Sequence, residues 1–169
     1  MENYLLYEIA DNGSSAFEQR ETETVRFGKL RPFSKKGKGR LSNLYWWLIS
    51  KKLYICEIAD KETGEVMHYT YVMKKSYKFP FMKKDDYMVG PSVTDEKFRG
   101  RGLLGRGINF AKQEILAINA NARFIGLVRQ KNISSRKGIE KIGMLSTGRE
   151  FRKNRLKIYK EVKEEKTEE

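Results

Sequence analysis

Cysteine, histidine and proline are scarce in this sequence of 169 residues, which has one Cys, one His and three Pro. A single cysteine, Cys56, cannot form an intrachain disulfide or a zinc cluster of several thiolates. A single histidine, His68, excludes the common histidine-rich metal sites, so we expect no bound metal. An unpaired cysteine usually packs as a small hydrophobic group, and we expect this of Cys56.

Long apolar segments are also missing. No window approaches the roughly 20 apolar residues that a transmembrane helix needs. The first residues, MENYLLYEIAD, lack the basic start and apolar centre of a signal peptide. These absences predict a soluble cytoplasmic protein that does not bind membranes. The length predicts one domain over residues 1–162, and the charged residues 163–169, KEEKTEE, are expected to form a disordered tail.

Acidic residues are outnumbered, with 22 Asp and Glu against 35 Lys and Arg, for a formal net charge of +13. Such a surplus favours a polyanion or a phosphate-bearing ligand as partner. Residues 26–40 hold seven basic residues and no acidic one, which predicts a solvated and mobile loop. Basic and aromatic residues alternate in the segment 74–84, a mixture that suits a nucleic-acid surface.

The hydrophobic pattern predicts a mixed α/β chain. Residues 14–26 fit a helix or a strand equally well, and an amphipathic helix is expected to start at a Ser42 cap. A glycine followed by a proline, Gly90-Pro91, predicts a bulge or a lost hydrogen bond in one strand. Strands are predicted at 3–9, 52–59, 66–73, 86–94, 123–129, 144–151 and 155–162, and two further helices at 103–117 and 132–142.

The most informative segment is FRGRGLLGRGINFAK, which stands between a predicted strand and the clearest predicted helix. Glycines let the backbone approach a ligand closely, and the free amides at a helix N-terminus attract phosphate. A P-loop would need Gly-Lys-Ser/Thr at the end of the turn, which is missing. The GxGxxG pattern from Gly100 to Gly105 is present, but the acidic residue that a dinucleotide site needs about 20 positions later is not.

The residues from Arg99 to Leu104 resemble the acyl-CoA pyrophosphate loop, R/Q-x-x-G-x-G/A, of the GNAT N-acetyltransferase superfamily. Further along the chain, Asn132-Ile133-Ser134-Ser135 and the following IEKIGM are similar to the second signature, N-x-x-S-x-x-x-Y-E-K-x-G-F. The two signatures occur in the family's order. The resemblance covers most of residues 53–162.

This resemblance implies an α/β (α+β) fold: a mixed, strongly twisted central sheet, splayed open at the bulged strand, with helices on both faces. The acyl-CoA cosubstrate would lie in that split. The bulged strand would present backbone groups to the pantetheine arm, and the glycine turn would wrap the pyrophosphate. By similarity, the residues that contact acetyl-CoA would be Ser92, Val93, Thr94, Arg99, Gly100, Arg101, Gly102, Leu103, Leu104, Asn132 and Ser135.

The activity that the resemblance implies is transfer of an acetyl group from acetyl-CoA to a primary amine. Ile139 stands where many members place a tyrosine that protonates the thiolate, and Leu127 where one branch places a glutamate base. Neither catalytic role can therefore be carried over. Leu104 replaces the final small residue of the loop, which a backbone contact tolerates if the side chain points into the core.

Candidate catalytic side chains must come from elsewhere. His68 has the only side chain whose unperturbed pKa lies near neutrality, although a structural histidine fits its mid-strand position as well. Tyr87 and Asp86 open the bulged strand and could face the acceptor, with ordinary packing as the alternative. Two further pairs could line the acceptor groove or simply pack: Tyr69 with Tyr71, and the adjacent Trp46 and Trp47, which cannot both face the core from a helix.

The sequence says less about the acceptor amine than about the cosubstrate. The basic segment 26–40 could hold an anionic acceptor, such as an amino sugar or a nucleotide-linked amino sugar. A protein N-terminus or lysine is an alternative acceptor. A non-catalytic basic module that binds RNA or another polyanion is the alternative from a different class, with nucleic acid the second choice of partner. A monomer and a homodimer both fit the sequence.

Overall fold

The computed structural model describes residues 2–9 and 17–162, which build one sheet of eight strands with helices on its two faces. A short 3-10 helix, Glu96–Phe98, precedes the longest helix. The elements are β1 (Asn3–Ile9), β2 (Glu23–Lys29), α1 (Arg40–Ile49), β3 (Ser50–Asp60), β4 (Val66–Ser76), β5 (Asp86–Thr94), α2 (Leu103–Ile118), β6 (Arg123–Arg129), α3 (Ile133–Glu140), β7 (Met144–Lys153) and β8 (Tyr159–Glu161).

The strand order is β2-β3-β4-β5-β6-β1-β7-β8. Strand β1 lies inside the sheet, antiparallel to both β6 and β7. Other parts of the protein cover both faces of β1, which fits its apolar centre. Leu6 and Tyr7, on opposite faces, are at most 1% exposed. Within the described residues, β5 and β6 form the single parallel pair, so the sheet is mixed as predicted.

The helices cover opposite faces of the sheet. Trp46 of α1 packs on a cluster that includes Ile55 and Tyr71, and we call this side the α1 face. Ala111 and Ile115 of α2 pack on the other side, the α2 face, which α3 also covers. The α/β class with helices on both faces is confirmed. No helix in the described part of the chain is both long and apolar enough to cross a membrane.

The structure corrects the sequence prediction around β2. The undecided segment 14–26 contributes to a strand, and its residues 14–16 lie outside the described residues. Strand β2 pairs with β3 along its whole length, from Glu23 opposite Asp60 to Lys29 opposite Tyr54. The prediction of a solvated loop over 26–40 is therefore wrong for residues 26–29, and also for Leu30, which is 4% exposed. Strand pairing satisfies the backbone there, while the basic side chains stay at the surface.

The rest of this basic loop is held against the α1 face. Asn43 of α1 is fully buried, and its Nδ2 donates to the carbonyl oxygens of Ser34 at 2.9 Å and Lys36 at 2.7 Å. The Tyr71 hydroxyl donates to Asn43 Oδ1 at 2.7 Å and accepts from the Lys38 amide at 2.8 Å. These hydrogen bonds argue against the predicted mobility of the loop, because a buried amide and a buried phenol connect it to the sheet.

Helix α1 begins at Arg40, and its N-cap is Gly39 with φ +88°, so the Ser42 cap was wrongly predicted. Trp46 is half-buried on the α1 face while Trp47 is 46% exposed, which confirms that the two cannot both face the core. The other predicted elements are present with shifted ends. The largest difference is β8, which is confined to Tyr159–Glu161.

Candidate active site

The sheet splits between β5 and β6. These strands pair in parallel only from Asp86 opposite Arg123 to Met88 opposite Ile125. Beyond Met88, β5 is paired with β4 alone, so residues 89–94 present one unpaired backbone edge among the described residues. An unpaired edge can hydrogen-bond an extended ligand as if it were another strand.

A bulge in β5 marks the start of this split. Thr70 lies opposite Ser92, and Val72 lies opposite Val89, so two residues of β5 face one residue of β4. The extra residue falls at Gly90-Pro91, whose peptide bond is cis and whose Gly90 has φ +114°. The bulge predicted from this dipeptide is confirmed.

The glycine-rich turn closes one end of the split. Gly100 and Gly102 have φ of +79° and +72°, a region that favours glycine. A Cβ at either position would meet no atom within 4 Å, so the backbone there is open to a ligand. Gly102 is the N-cap of α2 and makes no side-chain cap hydrogen bond. The first intrahelical amide bond runs from Arg106 N to Gly102 O at 3.2 Å, so the amides of residues 103–105 make no helical hydrogen bond to any described residue and can bind an anion.

Two arginines add positive charge to the turn. Arg99 pairs with Glu96 at 3.1 Å, and both side chains are largely exposed. The guanidinium of Arg101 lies 5.1 Å from the ring centre of Phe98 and makes no direct ion pair in the ranges 2–9 and 17–162, although its charge contributes, after the hydrogen bonds from Thr63, to lowering the pKa of Asp60. Arg101 is therefore available to a phosphate.

The side chain of Leu104 points into the protein. It packs on the cluster that contains Ile108 and Ile139, and a Cβ added at Gly138 of α3 would come within 2.9 Å of its Cδ2. Leu103 is buried as well, at 2% exposure. Both leucines thus leave the outer side of the turn to backbone amides, as the sequence analysis required of Leu104.

Asn132 and Ser135 lie at the start of α3, which packs against the first turn of α2. Asn132 is the N-cap, and its Oδ1 accepts from the Ser135 amide at 3.1 Å. The side-chain NH2 group of Asn132 makes no hydrogen bond within the described residues, and Ser135 is half-buried. Their predicted contact with the pantetheine arm stays a prediction, and a capping role is established beside it.

His68 is fully buried, and both of its ring nitrogens make hydrogen bonds. Thr70 gives its single hydroxyl proton to Ser92 at 2.9 Å, so the His68 Nε2 must donate to Thr70 Oγ1 at 2.8 Å. His68 Nδ1 then accepts from Thr94 Oγ1 at 2.8 Å. Burial lowers the pKa of His68 to about 4, so the ring is neutral near pH 7.

This network gives His68 a clear structural task. It connects β4 to Ser92 and Thr94, two residues of the unpaired part of β5. A general base needs a nitrogen free to take a proton from the substrate, and both nitrogens of His68 are engaged. The geometry favours the structural alternative, and catalysis by His68 stays a prediction.

Tyr87 and Asp86 lie where β5 and β6 are still paired. Tyr87 is 2% exposed and stacks on Phe124 at 6.1 Å, on the α2 face. Asp86 is 3% exposed, and its Oδ2 accepts from the Lys83 amide at 2.8 Å. For both residues the packing alternative fits the geometry better than contact with an acceptor.

Tyr69 lies beside the opening, on the α1 face. It is the cross-strand partner of Val93 and is half-buried, with its ring edge-on to Tyr71 at 5.7 Å. Unlike that of Tyr71, its hydroxyl makes no hydrogen bond to any residue that the structure describes. Burial raises the pKa of Tyr69 above its usual value, so the hydroxyl keeps its proton near pH 7.

Several buried polar groups were not identified from the sequence, and Glu57 and Tyr7 are two of them. Glu57 is 5% exposed on the α1 face, opposite Tyr69, and its carboxylate pairs with Lys36 Nζ at 3.0 Å. Strict alternation along β3 could have identified it, because Glu57 shares a face with Leu53 and Ile55. No sequence pattern could have identified Tyr7 of β1 in this way, because its hydroxyl contacts Arg136 and Glu140 of α3 only in the folded protein.

Cys56 is fully buried on the α2 face, as expected of a small hydrophobic side chain. Burial, with smaller effects of Glu57 and Glu114, raises the pKa of the Cys56 thiol to about 12. A thiol of this kind is protonated near pH 7 and is a poor nucleophile.

Solved structures with the same architecture include several acetyltransferases. A tandem GNAT protein from the clavulanic acid biosynthesis pathway aligns with a TM-score of 0.68 and 12% identity, over 86% of this chain and 50% of that one. An acetyltransferase of the GNAT family from Colwellia psychrerythraea aligns with 0.56 and 14%, over 87% and 53%. A GCN5-related N-acetyltransferase from Sphaerobacter thermophilus aligns with 0.56 and 11%, over 86% and 49%.

At these identities the likeness shows the fold alone. The chain spans about half the length of these three solved structures. No protein-family model matches the sequence, and no curated protein matches it either.

Proposed function

Because the chain has the GNAT fold, we propose that it is an N-acetyltransferase that moves an acetyl group from acetyl-CoA to a primary amine. One observation carries the proposal. The unpaired edge of β5 is followed, after the short 3-10 helix, by a glycine turn that leads into the longest helix, α2. The pantetheine arm of acetyl-CoA is extended, carries amide groups and is joined to a pyrophosphate. It therefore matches an unpaired strand edge that is followed by a helix N-terminus. The sheet edge would bind the arm, and the helix start would bind the phosphates.

The chain's own residues fit acyl-CoA at each part of this path. The backbone of Ser92, Val93 and Thr94 offers hydrogen bonds along the unpaired edge. Open Cβ positions at Gly100 and Gly102 allow close approach of the pyrophosphate, and Arg101 adds an exposed cation. The cosubstrate supplies the thioester.

Acetyl transfer forms a C–N bond while the C–S bond of the thioester breaks. The amine must lose a proton, which passes to bulk water, and the departing thiolate must gain one. A backbone amide of the unpaired edge is suited to polarise the thioester carbonyl. We assign the proton donor to Tyr69, whose hydroxyl is protonated near pH 7 and free of partners in the described residues. His68 holds the edge in place through Ser92 and Thr94.

The proposed acceptor is an anionic amino sugar or a nucleotide-linked amino sugar. The basic loop after β2 lies on the α1 face, the same side as Tyr69. Its cations would attract an anionic acceptor to that side of the opening. A protein N-terminus or lysine remains the alternative acceptor, and the assay below includes both classes.

The binding step is tested by thermal unfolding with and without acetyl-CoA. A ligand of the folded state raises the melting temperature by mass action, so we expect a rise that grows with concentration. Gly102→Val should abolish that rise, because a side chain would cover the amides of the turn. Gly64→Val is the matched control, since Gly64 also has a positive φ, +70°, and an open Cβ position, but lies in the β3–β4 turn.

The result against the proposal is an unchanged melting temperature at millimolar acetyl-CoA. An equal rise for Gly102→Val and Gly64→Val would show that the phosphates bind elsewhere. For the reaction, thiol release should be followed with amino sugars, nucleotide-linked amino sugars and peptides. Binding of RNA without thiol release from any amine would favour a non-catalytic polyanion-binding module instead.

A further inference from the structure

A cavity of about 400 Å³ lies beside β2, away from the split. The basic loop that follows β2 supplies much of its lining, and the cavity is open to solvent on one side. Its lining mixes cations, aromatic rings and backbone. Its lining includes Phe27, Gly28, Lys29, Arg31, Phe33 and Ile55.

The cavity has a glycine in its wall. Gly28 lies opposite Ile55 across the β2–β3 pair, and both line the cavity. A Cβ at Gly28 would meet no protein atom within 4 Å. The space next to this backbone is therefore open to a ligand, and a side chain introduced here would occupy it.

Two positive charges in the lining have no neutralising partner. Lys36 pairs with the buried carboxylate of Glu57 at 3.0 Å. Lys29 and Arg31 have no carboxylate partner among the residues that the structure describes. A ligand group with about two negative charges would complement them, and Arg with Lys is a usual pair for phosphate oxygens.

An aromatic ring stands among these cations. Phe33 is 59% exposed although it is apolar, and its backbone has φ +63°, which is uncommon for a bulky residue. Aromatic rings exposed beside cations are the usual arrangement for stacking a nucleobase next to its phosphates. The ring thus favours a nucleotide over inorganic phosphate.

The cavity is fixed before a ligand arrives. Asn43 holds the carbonyl groups of Ser34 and Lys36, and Tyr71 holds the amide of Lys38. A binding site whose loop is already ordered loses less entropy on binding. These contacts support a binding site over a merely solvated loop.

The cavity lies at the β2 edge of the sheet, because its lining includes Ile55 on the α1 face and also Phe27, which packs on the α2 face. Ile55 and Tyr69 belong to or pack against the same core cluster on the α1 face. From β2 to β5 there are three strand spacings of about 4.8 Å, or about 14 Å in all. A ligand that reaches both the cavity and the unpaired edge must be elongated, with its charged end remote from its reacting amine.

We infer that this cavity binds the nucleoside diphosphate part of the acceptor, while the amino sugar linked to it extends toward the unpaired edge of β5. This inference rests on the proposed function for the reacting end. The binding of the nucleotide end can be measured without any reaction.

The experiment titrates uridine diphosphate into the full chain at saturating CoA, so that the cosubstrate site is filled. We expect saturable binding, with uridine alone and pyrophosphate alone each binding more weakly than the diphosphate nucleoside. Gly28→Val should abolish binding by filling the cavity. The double variant Lys29→Ala, Arg31→Ala should bind about tenfold more weakly or worse.

The charge-matched control is Lys83→Ala, Lys84→Ala, which removes two exposed cations outside the cavity and should bind like the unchanged protein. Equal weakening by both double variants would overturn the inference, because it would show attraction to net charge alone. Unaltered binding by Gly28→Val, or no binding of uridine diphosphate at millimolar concentration, would overturn it as well.

The acetyl-CoA melting shift of the same variants separates this inference from the proposed function. Gly28→Val and the Lys29, Arg31 double variant should keep the full shift, because their positions lie on β2 and its loop. If uridine diphosphate does not bind but acetyl-CoA still raises the melting temperature, only the inference about the cavity is contradicted. An absent shift in the unchanged protein contradicts the proposed function, whatever the cavity binds.

Discussion

At the scale of single residues, buried polar side chains organise this protein. His68, Asn43 and Tyr71 are each fully buried and each makes hydrogen bonds. Leaving such a group without a partner is costly, so each one fixes the position of its partners. His68 fixes the edge of the split, and the other two fix the loop that forms the cavity.

The pH dependence of stability should reveal the state of His68. Its pKa is about 4 in the folded protein and near 6.5 when unfolded, so the unfolded chain binds more protons between these values. Stability contributed by the neutral ring is complete above about pH 6.5 and is lost as the pH falls toward 4. The expected loss is roughly 3 kcal/mol, measured by urea unfolding from pH 7 to pH 4.

His68→Gln removes this titration, so its unfolding free energy should change less over the same pH range. Its stability at pH 7 should be lower than that of the unchanged protein. A variant with an equally steep pH dependence would mean that carboxylates, not His68, cause the loss.

The two neighbouring tyrosines should respond differently to loss of the hydroxyl. Tyr71→Phe leaves the Lys38 amide and Asn43 Oδ1 without their partner and should reduce stability by about 1–3 kcal/mol. Tyr69→Phe removes a hydroxyl without a described partner and should leave stability within about 0.5 kcal/mol. Denaturant unfolding measures both. Tyr69→Phe should instead lower kcat, and an unchanged kcat would remove Tyr69 from the mechanism.

At the scale of elements, the starts of α2 and α3 are built differently. The N-cap of helix α2 is Gly102, which offers no side chain to its first amides. The N-cap of helix α3 is Asn132, whose side chain accepts a hydrogen bond from the Ser135 amide. The open start is therefore the one available to phosphate, while the capped start serves stability first.

Two substitutions at Asn132 separate capping from contact with the cosubstrate. Asn132→Ala should lower stability by about 1 kcal/mol through loss of the cap. Asn132→Asp keeps an accepting oxygen and should restore stability, but it cannot donate a hydrogen bond to the pantetheine arm. We expect weaker acetyl-CoA binding by calorimetry for Asn132→Asp. Full affinity would restrict Asn132 to capping.

At the scale of the whole molecule, the first strand is placed in the interior of the sheet. Strand β1 pairs with β6 and β7, so residues near position 5 meet residues near positions 128 and 150. The Tyr7 hydroxyl donates to Glu140 at 3.0 Å and accepts from Arg136 at 3.0 Å, which ties β1 to α3 as well. Pairings so distant in sequence generally slow folding.

Paired leucine substitutions test the importance of this strand. Leu6→Ala, at a side chain 1% exposed on β1, should cost about 2–5 kcal/mol of unfolding free energy. Leu145→Ala, at a side chain 57% exposed on the neighbouring β7, should change it by less than about 0.5 kcal/mol. Denaturant unfolding measures both variants. If Leu6→Ala lowered the unfolding free energy as little as Leu145→Ala, β1 would contribute little to the core.

The sequence by itself determined the local features. Apolar periodicity placed most strands and helices, Gly90-Pro91 located the bulge, and the glycines after Arg99 located the turn. These features depend on neighbours a few residues away, so a linear pattern can reveal them. Segment 14–26 stayed ambiguous because its strand is defined by pairing with β3, which local propensity does not encode.

Tertiary structure decided which residues meet. Only the folded sheet brings Tyr69 beside Val93, joins His68 to Ser92 and Thr94, and inserts β1 between β6 and β7. The charged segment after β2 was expected to be solvated because its composition is basic. Its hydrogen bonds to Asn43 and Tyr71, remote in sequence, instead shape it into the wall of a cavity. Charge is a property of composition, whereas a binding site requires groups distant in sequence to be held together.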